Sequence, residues 1–242
     1  MKSFPAGLLL LYTMLMRKCF SFLLMVVLLS SVPPAYCELI ETKVDGITVL
    51  VYVPKGYDPA EKKYPLNVGC HGGGQTGKEI YFAWRGAADE RGYIIAAPNF
   101  DDFNKQKELR LDRFLFDVVK ETRSTYRIDG SRVVLVGNSK GARQSYMMGL
   151  TYPEVFSAIA PCSGNSSYLD GFPWRPNTKK IPVYILHGEK DPYFPLEELY
   201  KEEEILKRCG YDVKVHVNKG KGHAYPNALE TPVPDWIDNR FK

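Results

Sequence analysis

A chain of 242 residues with 45% apolar and 25% charged side chains suits one domain with a sizeable core, so disulfide bridges are not required to hold it together. Its 32 basic and 28 acidic residues give a formal charge of +4, and without Lys2, Arg17 and Lys18 the balance is 29 to 28, or +1. That near-neutrality leaves no electrostatic case for nucleic acid as a partner.

The first 37 residues contain no acid. Two apolar runs, Gly7 to Met16 and Cys19 to Leu29, precede Ser-Ser-Val-Pro-Pro-Ala-Tyr-Cys. The run after Arg17-Lys18 has the length of a signal h-region and is too short to span a bilayer by itself. Residues 1–37 are therefore expected to be an export signal, with Met14 or Met16 as alternative starts and cleavage near Ala35 or Cys37. An uncleaved anchor is the competing reading. Lipid attachment at Cys37 is disfavoured by bulky Tyr36, where a small residue is required. The expected locations are secreted or periplasmic, with residues 38–242 as a single domain and no membrane contact beyond the export signal.

Ile40 to Lys43 and Ile47 to Pro54 flank Val44-Asp45-Gly46 with strand composition and predict an antiparallel hairpin. Tyr64 to Cys70 reads as a strand that runs into the glycine-rich loop His71-Gly72-Gly73-Gly74-Gln75-Thr76-Gly77. A helix over Glu79 to Arg91 stops at Gly92, and Tyr93 to Pro98 is a further strand. Leu111, Phe114, Leu115, Val118 and Val119 recur at helical spacing and place one apolar face against a sheet. Val133 to Val136 is a buried-strand pattern that enters Gly137-Asn138-Ser139-Lys140-Gly141 and then a helix to Leu150. Strands at Phe156 to Pro161, Ile181 to Leu186 and Asp212 to Val217 alternate with helices around Pro195 to Cys209 and Val233 to Phe241. This alternation implies a mostly parallel sheet covered on both faces.

In such a sheet the loops after strand carboxyl ends converge on one edge. Four of these loops carry chemistry: His71 to Gly74, Gly137 to Gly141, His187-Gly188-Glu189-Lys190-Asp191, and Gly220-Lys221-Gly222-His223. The G-x-S-x-G turn is a nucleophile-elbow pattern that would expose Ser139 at its apex. Acyl transfer needs such a serine, a histidine to take its proton, an acid to orient the histidine, and N–H donors for the oxyanion.

With these motifs the chain resembles the α/β-hydrolases. It is most like the compact secreted feruloyl and acetyl-xylan esterases and the polyhydroxybutyrate-depolymerase-like enzymes, over roughly residues 45 to 240. The likeness is carried by His71 to Gly74, by Tyr126-Arg127-Ile128-Asp129 leading through Arg132-Val133 into the elbow, and by Tyr152-Pro153-Glu154-Val155-Phe156 before Ala158 to Pro161. It is completed by His187-Gly188 with Asp191 and by Gly222-His223. It implies an α/β-hydrolase fold with an N-terminal antiparallel hairpin, and a serine esterase needing no metal or organic cofactor. By the same resemblance Ser139 is the nucleophile, His223 the base and acid, and Asp191 the orienting carboxylate, with Glu189 as its competitor. The oxyanion donors would be the N–H groups of Gly73 and Lys140. Lys140 departs from relatives that carry an uncharged residue there, and its charge beside the serine is expected either to favour anionic substrates or to discourage cationic ones.

His71 and His187 start H-G turns and read as structural, and His216 as a packed or surface strand residue. Asp101 and Asp102 read as capping or rim residues. Trp174 and Tyr168, in the long segment Cys162 to Lys180, are candidates for substrate binding. No Cys/His metal spacing is present, and Cys70, Cys162 and Cys209 are either three buried thiols or include one bridge, Cys70–Cys162 being the first pair to test. The expected substrate is a small-molecule, polysaccharide or polyester ester, with feruloyl or acetyl esters of plant polysaccharide first. The alternatives are a polyester depolymerase, an acyltransferase and a catalytically silent binding module.

Overall fold

The computed structural model describes residues 37–100, 111–166 and 179–241. The expected export segment up to Tyr36 lies outside them, as do Tyr168, Trp174, Asp101 and Asp102. Among the described residues no helix is long and apolar enough to cross a membrane.

Eight strands form one sheet: β1 (Glu38–Val44), β2 (Ile47–Val53), β3 (Tyr64–Cys70), β4 (Ile94–Pro98), β5 (Ile128–Asn138), β6 (Ala158–Cys162), β7 (Val183–Gly188) and β8 (Val213–Asn218). Their spatial order is β1-β2-β4-β3-β5-β6-β7-β8. The hairpin β1–β2 and the pair β2–β4 are antiparallel, and every later pair is parallel. Val44 pairs with Ile47 across a two-residue turn in which Asp45 and Gly46 both have positive φ, 50° and 77°. Asp-Gly suits that turn because both positions need the left-handed region.

The helices are α1 (Gly77–Arg91), α2 (Leu111–Thr125), α3 (Lys140–Thr151), α4 (Leu196–Arg208) and α5 (Val233–Arg240). A capping box opens α1, with Thr76 accepting from the chain while Glu79 takes the Thr76 N–H, and Gly92 at φ 75° closes it. Strand side chains alternate between two cores. Leu66, Val68, Val133 and Leu135 pack on one face with Phe114, Tyr146 and Leu199 from α2, α3 and α4. Ile95, Ala97, Val134 and Val136 pack on the other with Trp84 from α1 and Trp236 from α5. Arg91, at the end of α1, reaches both Asp235 and Asp238 at 2.8 Å and ties the two helices of that face together.

Two features of the core were not anticipated. Glu202, on the buried stripe of α4 with Leu199 and Leu206, is 4% exposed. Asn67, in the middle of β3, is fully buried, and neither polar atom of its amide finds a hydrogen-bond partner. The cysteines at positions 37, 70, 162 and 209 are all free. A Cys70–Cys162 bridge is precluded by the strand order, because β5 lies between β3 and β6, with Gly137 opposite Cys70 and Asn138 opposite Cys162. Two interstrand spacings amount to about 9.5 Å, beyond the roughly 7 Å that a disulfide spans between Cα atoms.

Candidate active site

The elbow is built by close backbone approaches that only glycine allows. A Cβ on Gly141 would lie 1.9 Å from the Cys70 carbonyl oxygen and 2.7 Å from that of His71, and one on Gly137 would lie 2.3 Å from the Gly141 carbonyl oxygen. The first turn of α3 is therefore pressed against the end of β3. Ser139 caps α3 with φ 53° and ψ −113°, and its side chain makes no capping bond. A non-glycine residue in that region costs about 1–3 kcal/mol, and the surroundings hold it there: the Ser139 N–H donates to the Cys162 carbonyl at 2.9 Å. Its hydroxyl is left at a half-buried position instead of being spent on the helix end.

The glycine loop lies beside this turn, with Gly72 close to the Asn138 side-chain amide. The Gly72 N–H is taken by Gln75 Oε1 at 2.9 Å, whereas the exposed Gly73 N–H has no acceptor among the described residues. Lys140 is the first residue of α3, so its N–H is one of the donors a helix leaves unpaired. His71 anchors the loop: Nδ1 donates to the Gly72 carbonyl at 2.7 Å and Nε2 accepts from the Phe100 N–H at 2.8 Å. The structural reading of His71 agrees with these bonds.

Asp191 and His223 meet although 32 residues separate them. A Cβ on Gly188 would strike the Gly222 carbonyl oxygen at 2.2 Å, so the loop after β8 folds directly over the end of β7. The Lys190 N–H donates to the Lys221 carbonyl at 2.8 Å and fixes the two loops together. Beyond His223, the Tyr225 hydroxyl accepts from Trp84 Nε1 at 2.9 Å, which anchors the loop to α1. His223 Nδ1 then lies 2.8 Å from Asp191 Oδ2, while Asp191 Oδ1 accepts the N–H groups of Tyr193 and Phe194 at 2.9 and 3.2 Å. Burial pushes the Asp191 carboxyl up, but the bonds from His223 and the two N–H groups, with the charge of His223, outweigh it and hold the group below the ordinary aspartate range. Asp191 thus stays ionised, and the Nδ1–H tautomer leaves Nε2 as the free base.

Glu189, the competing acid, faces away: its carboxylate accepts the Gly220 N–H at 2.7 Å. His187, 1% exposed, bonds the Phe194 carbonyl through Nε2 at 2.8 Å and sits 3.8 Å from Asp191 Oδ2, so it braces the acid's turn. His216 is half-buried in β8. Two neighbours of the histidine were not anticipated. The Tyr193 ring meets His223 edge-on with centroids 4.9 Å apart, and Phe194 lies tilted at 5.7 Å. Their signal in the sequence was only their position directly after Asp191-Pro192. Among the described residues no group of three or more His, Cys, Asp or Glu is placed to hold a metal.

The profile of the phospholipase/carboxylesterase family matches residues 100–237. The chain belongs to this family of α/β-hydrolases. Similar curated members of the wider group include acyl-protein thioesterase 1 of Gibberella zeae, 34% identical over 104 residues, which are 41% of this chain and 44% of the relative. Feruloyl esterase B of Talaromyces funiculosus is 27% identical over 132 residues, or 49% of this chain and 36% of the relative. The phospholipase/carboxylesterase chain thus matches less than half the length of either relative. Among solved structures, an acetyl xylan esterase from Aspergillus awamori superposes with a TM-score of 0.64 at 17% identity, covering 83% of this chain and 99% of that one, and so shares the fold. The expected α/β-hydrolase architecture with its antiparallel hairpin is the one observed.

Proposed function

We propose that this α/β-hydrolase is an exported serine esterase that cleaves acetyl or feruloyl esters of plant polysaccharide. The observation that carries the reading is the 2.8 Å bond between His223 Nδ1 and a buried, ionised Asp191, on the sheet edge that also bears the strained, uncapped Ser139. Ser139 Oγ attacks the ester carbonyl and its proton passes to His223 Nε2. Asp191 stabilises the resulting imidazolium, and the N–H groups of Gly73 and Lys140 receive the oxyanion. Collapse breaks the C–O bond, and His223 returns the proton to the departing alcohol. Water, deprotonated by the same histidine, then releases the acid and restores Ser139. Relatives named feruloyl esterase and acetylxylan esterase support the substrate class, and the acid-free, apolar N-terminus supports export.

A fluorophosphonate should modify Ser139, and Ser139→Ala should abolish labelling and lower kcat by at least about 10³-fold with the fold intact. An adduct mapped to another residue would refute the assignment. Assay against methyl ferulate, acetylated xylan and p-nitrophenyl acetate tests the substrate class, and N-terminal sequencing of protein recovered outside the cell tests export. The likeness to acyl-protein thioesterase 1 favours a second reading, thioester hydrolysis by the same groups, and turnover of an S-acyl peptide in preference to all three esters would select it.

A further inference from the structure

Tyr193 takes no part in the proton transfers, yet no other large apolar or aromatic side chain among the described residues is as exposed, at 71%. Its backbone is not free to move the ring away. The N–H groups of Tyr193 and Phe194 are held by Asp191 Oδ1, and the Phe194 carbonyl is held by His187. The backbone of Tyr193 consequently stands at a fixed place, and its ring lies 4.9 Å from the His223 imidazole with the two planes at 73° and most of its surface in solvent. Its hydroxyl has no hydrogen-bond partner among the described residues.

Position decides which part of a substrate this ring can meet. His223 must deliver a proton to the oxygen of the departing alcohol, so the alcohol lies against the imidazole while the acyl group is carried by Ser139. A ring in contact with the imidazole borders the alcohol. We infer that Tyr193 is the wall of a leaving-alcohol subsite and that its ligand class is a pyranose ring. A pyranose offers an apolar C–H face to the exposed ring and hydroxyls to the unpartnered phenol, so it satisfies both halves of the side chain. The inference rests on the serine-esterase reading and adds where the sugar sits.

The test varies the alcohol at constant acyl group. The full chain and its Tyr193→Ala and Tyr193→Phe variants are assayed on ethyl acetate, p-nitrophenyl acetate and a monoacetylated methyl pyranoside, with ethyl ferulate added to vary the acyl group. For Tyr193→Ala the ratio of kcat/KM on the pyranoside to that on ethyl acetate is expected to fall roughly three- to ten-fold, chiefly through KM, as a lost stacking face implies. Tyr193→Phe should restore most of the ratio. An unchanged ratio overturns the subsite, as does a fall confined to p-nitrophenyl acetate, which would make the wall selective for aromatic alcohols. A fall that follows ferulate instead of the alcohol also overturns it, by placing Tyr193 on the acyl side. A wild-type protein inert to all four esters removes the esterase reading itself, and the subsite with it.

Discussion

Replacing Glu202 by Gln should make the protein more stable at pH 8 and leave it little changed at pH 4.5. Burial pushes this carboxyl up to about 7, and the Ser166 and Tyr146 hydroxyls pull it back only in part, since neither forms a well-aligned hydrogen bond with it. Nearby Glu198 adds a further upward push. Between about pH 4.5 and pH 7 the native state keeps a proton that the unfolded chain has released, so stability falls as pH rises through that window and stays low above it. A displacement from 4.5 to about 7 corresponds to roughly 3 kcal/mol at full effect. Gln has nearly the same shape and cannot ionise. Its gain at pH 8 should therefore be roughly 1–3 kcal/mol, or several degrees in Tm for a domain of this size. The Asp191 and Asp129 carboxyls, held below their ordinary range, contribute stability that is lost towards acid pH, and they cancel in the difference between variant and wild type. Urea unfolding followed by the fluorescence of buried Trp84 and Trp236 at pH 4.5, 6 and 8 measures that difference. A gain equal at all three pH values would refute the argument, because ionisation would then play no part in it.

Asp191→Asn should cost roughly 10³-fold or more in kcat/KM by favouring the wrong imidazole tautomer, whereas Glu189→Gln, whose side chain can still accept the Gly220 N–H, should stay within roughly three-fold. The reverse ranking would transfer the acid's role to Glu189. Gly141→Ala forces a Cβ into the Cys70 carbonyl and should destabilise the chain by roughly 1–3 kcal/mol or more. It should also lower ester turnover on the order of 10²-fold by displacing Ser139, and wild-type kinetics would show that the elbow tolerates the shift. Asn67→Val, a β-branched strand former only about one methyl group bulkier, removes two buried unpaired polar atoms and should raise stability by about 1–3 kcal/mol. A loss of stability in the same urea assay would mean that the amide has a partner.

Much of this architecture is readable because the strands between β3 and β7 are covered on both faces and therefore appear as largely apolar runs. The expected strand Tyr64 to Cys70 coincides with β3. The α2 face is legible for a related reason: of Leu111, Phe114, Leu115, Val118 and Val119 at helical spacing, the last four are buried and Leu111 is half-buried, with Thr122 buried beside them. What resisted reading depends on lateral order. The positions of Cys70 and Cys162 in sequence say nothing of β5 lying between them. Strand β5 also starts earlier than the apolar run Val133 to Val136: Ile128 pairs with Tyr64, and the half-buried or exposed residues 129–132 carry the strand through a register shift, where polar residues are tolerated. Glu202 was hidden among Glu203 and Glu204, since only its spacing from Leu199 and Leu206 distinguishes the buried acid from its solvated neighbours. At the site, Asp191 and Glu189 both follow β7, and the hydrogen bond of Glu189 to Gly220 separates them only in three dimensions.

The order of strands also bears on how the site is lost. Ser139 follows β5, well inside the sheet, but His223 follows β8, an edge strand whose residues beyond Val213 are half-exposed or exposed and whose one strand neighbour among the described residues is β7. Edge segments open at lower free energy than the core they border. Fraying of β8 therefore separates the histidine from Asp191 while the nucleophile, the glycine loop and both cores remain in place. Catalysis in such an arrangement reports the state of one margin of the sheet. Under mild denaturant, ester turnover should vanish and the β8 amides should exchange before the tryptophan signal moves.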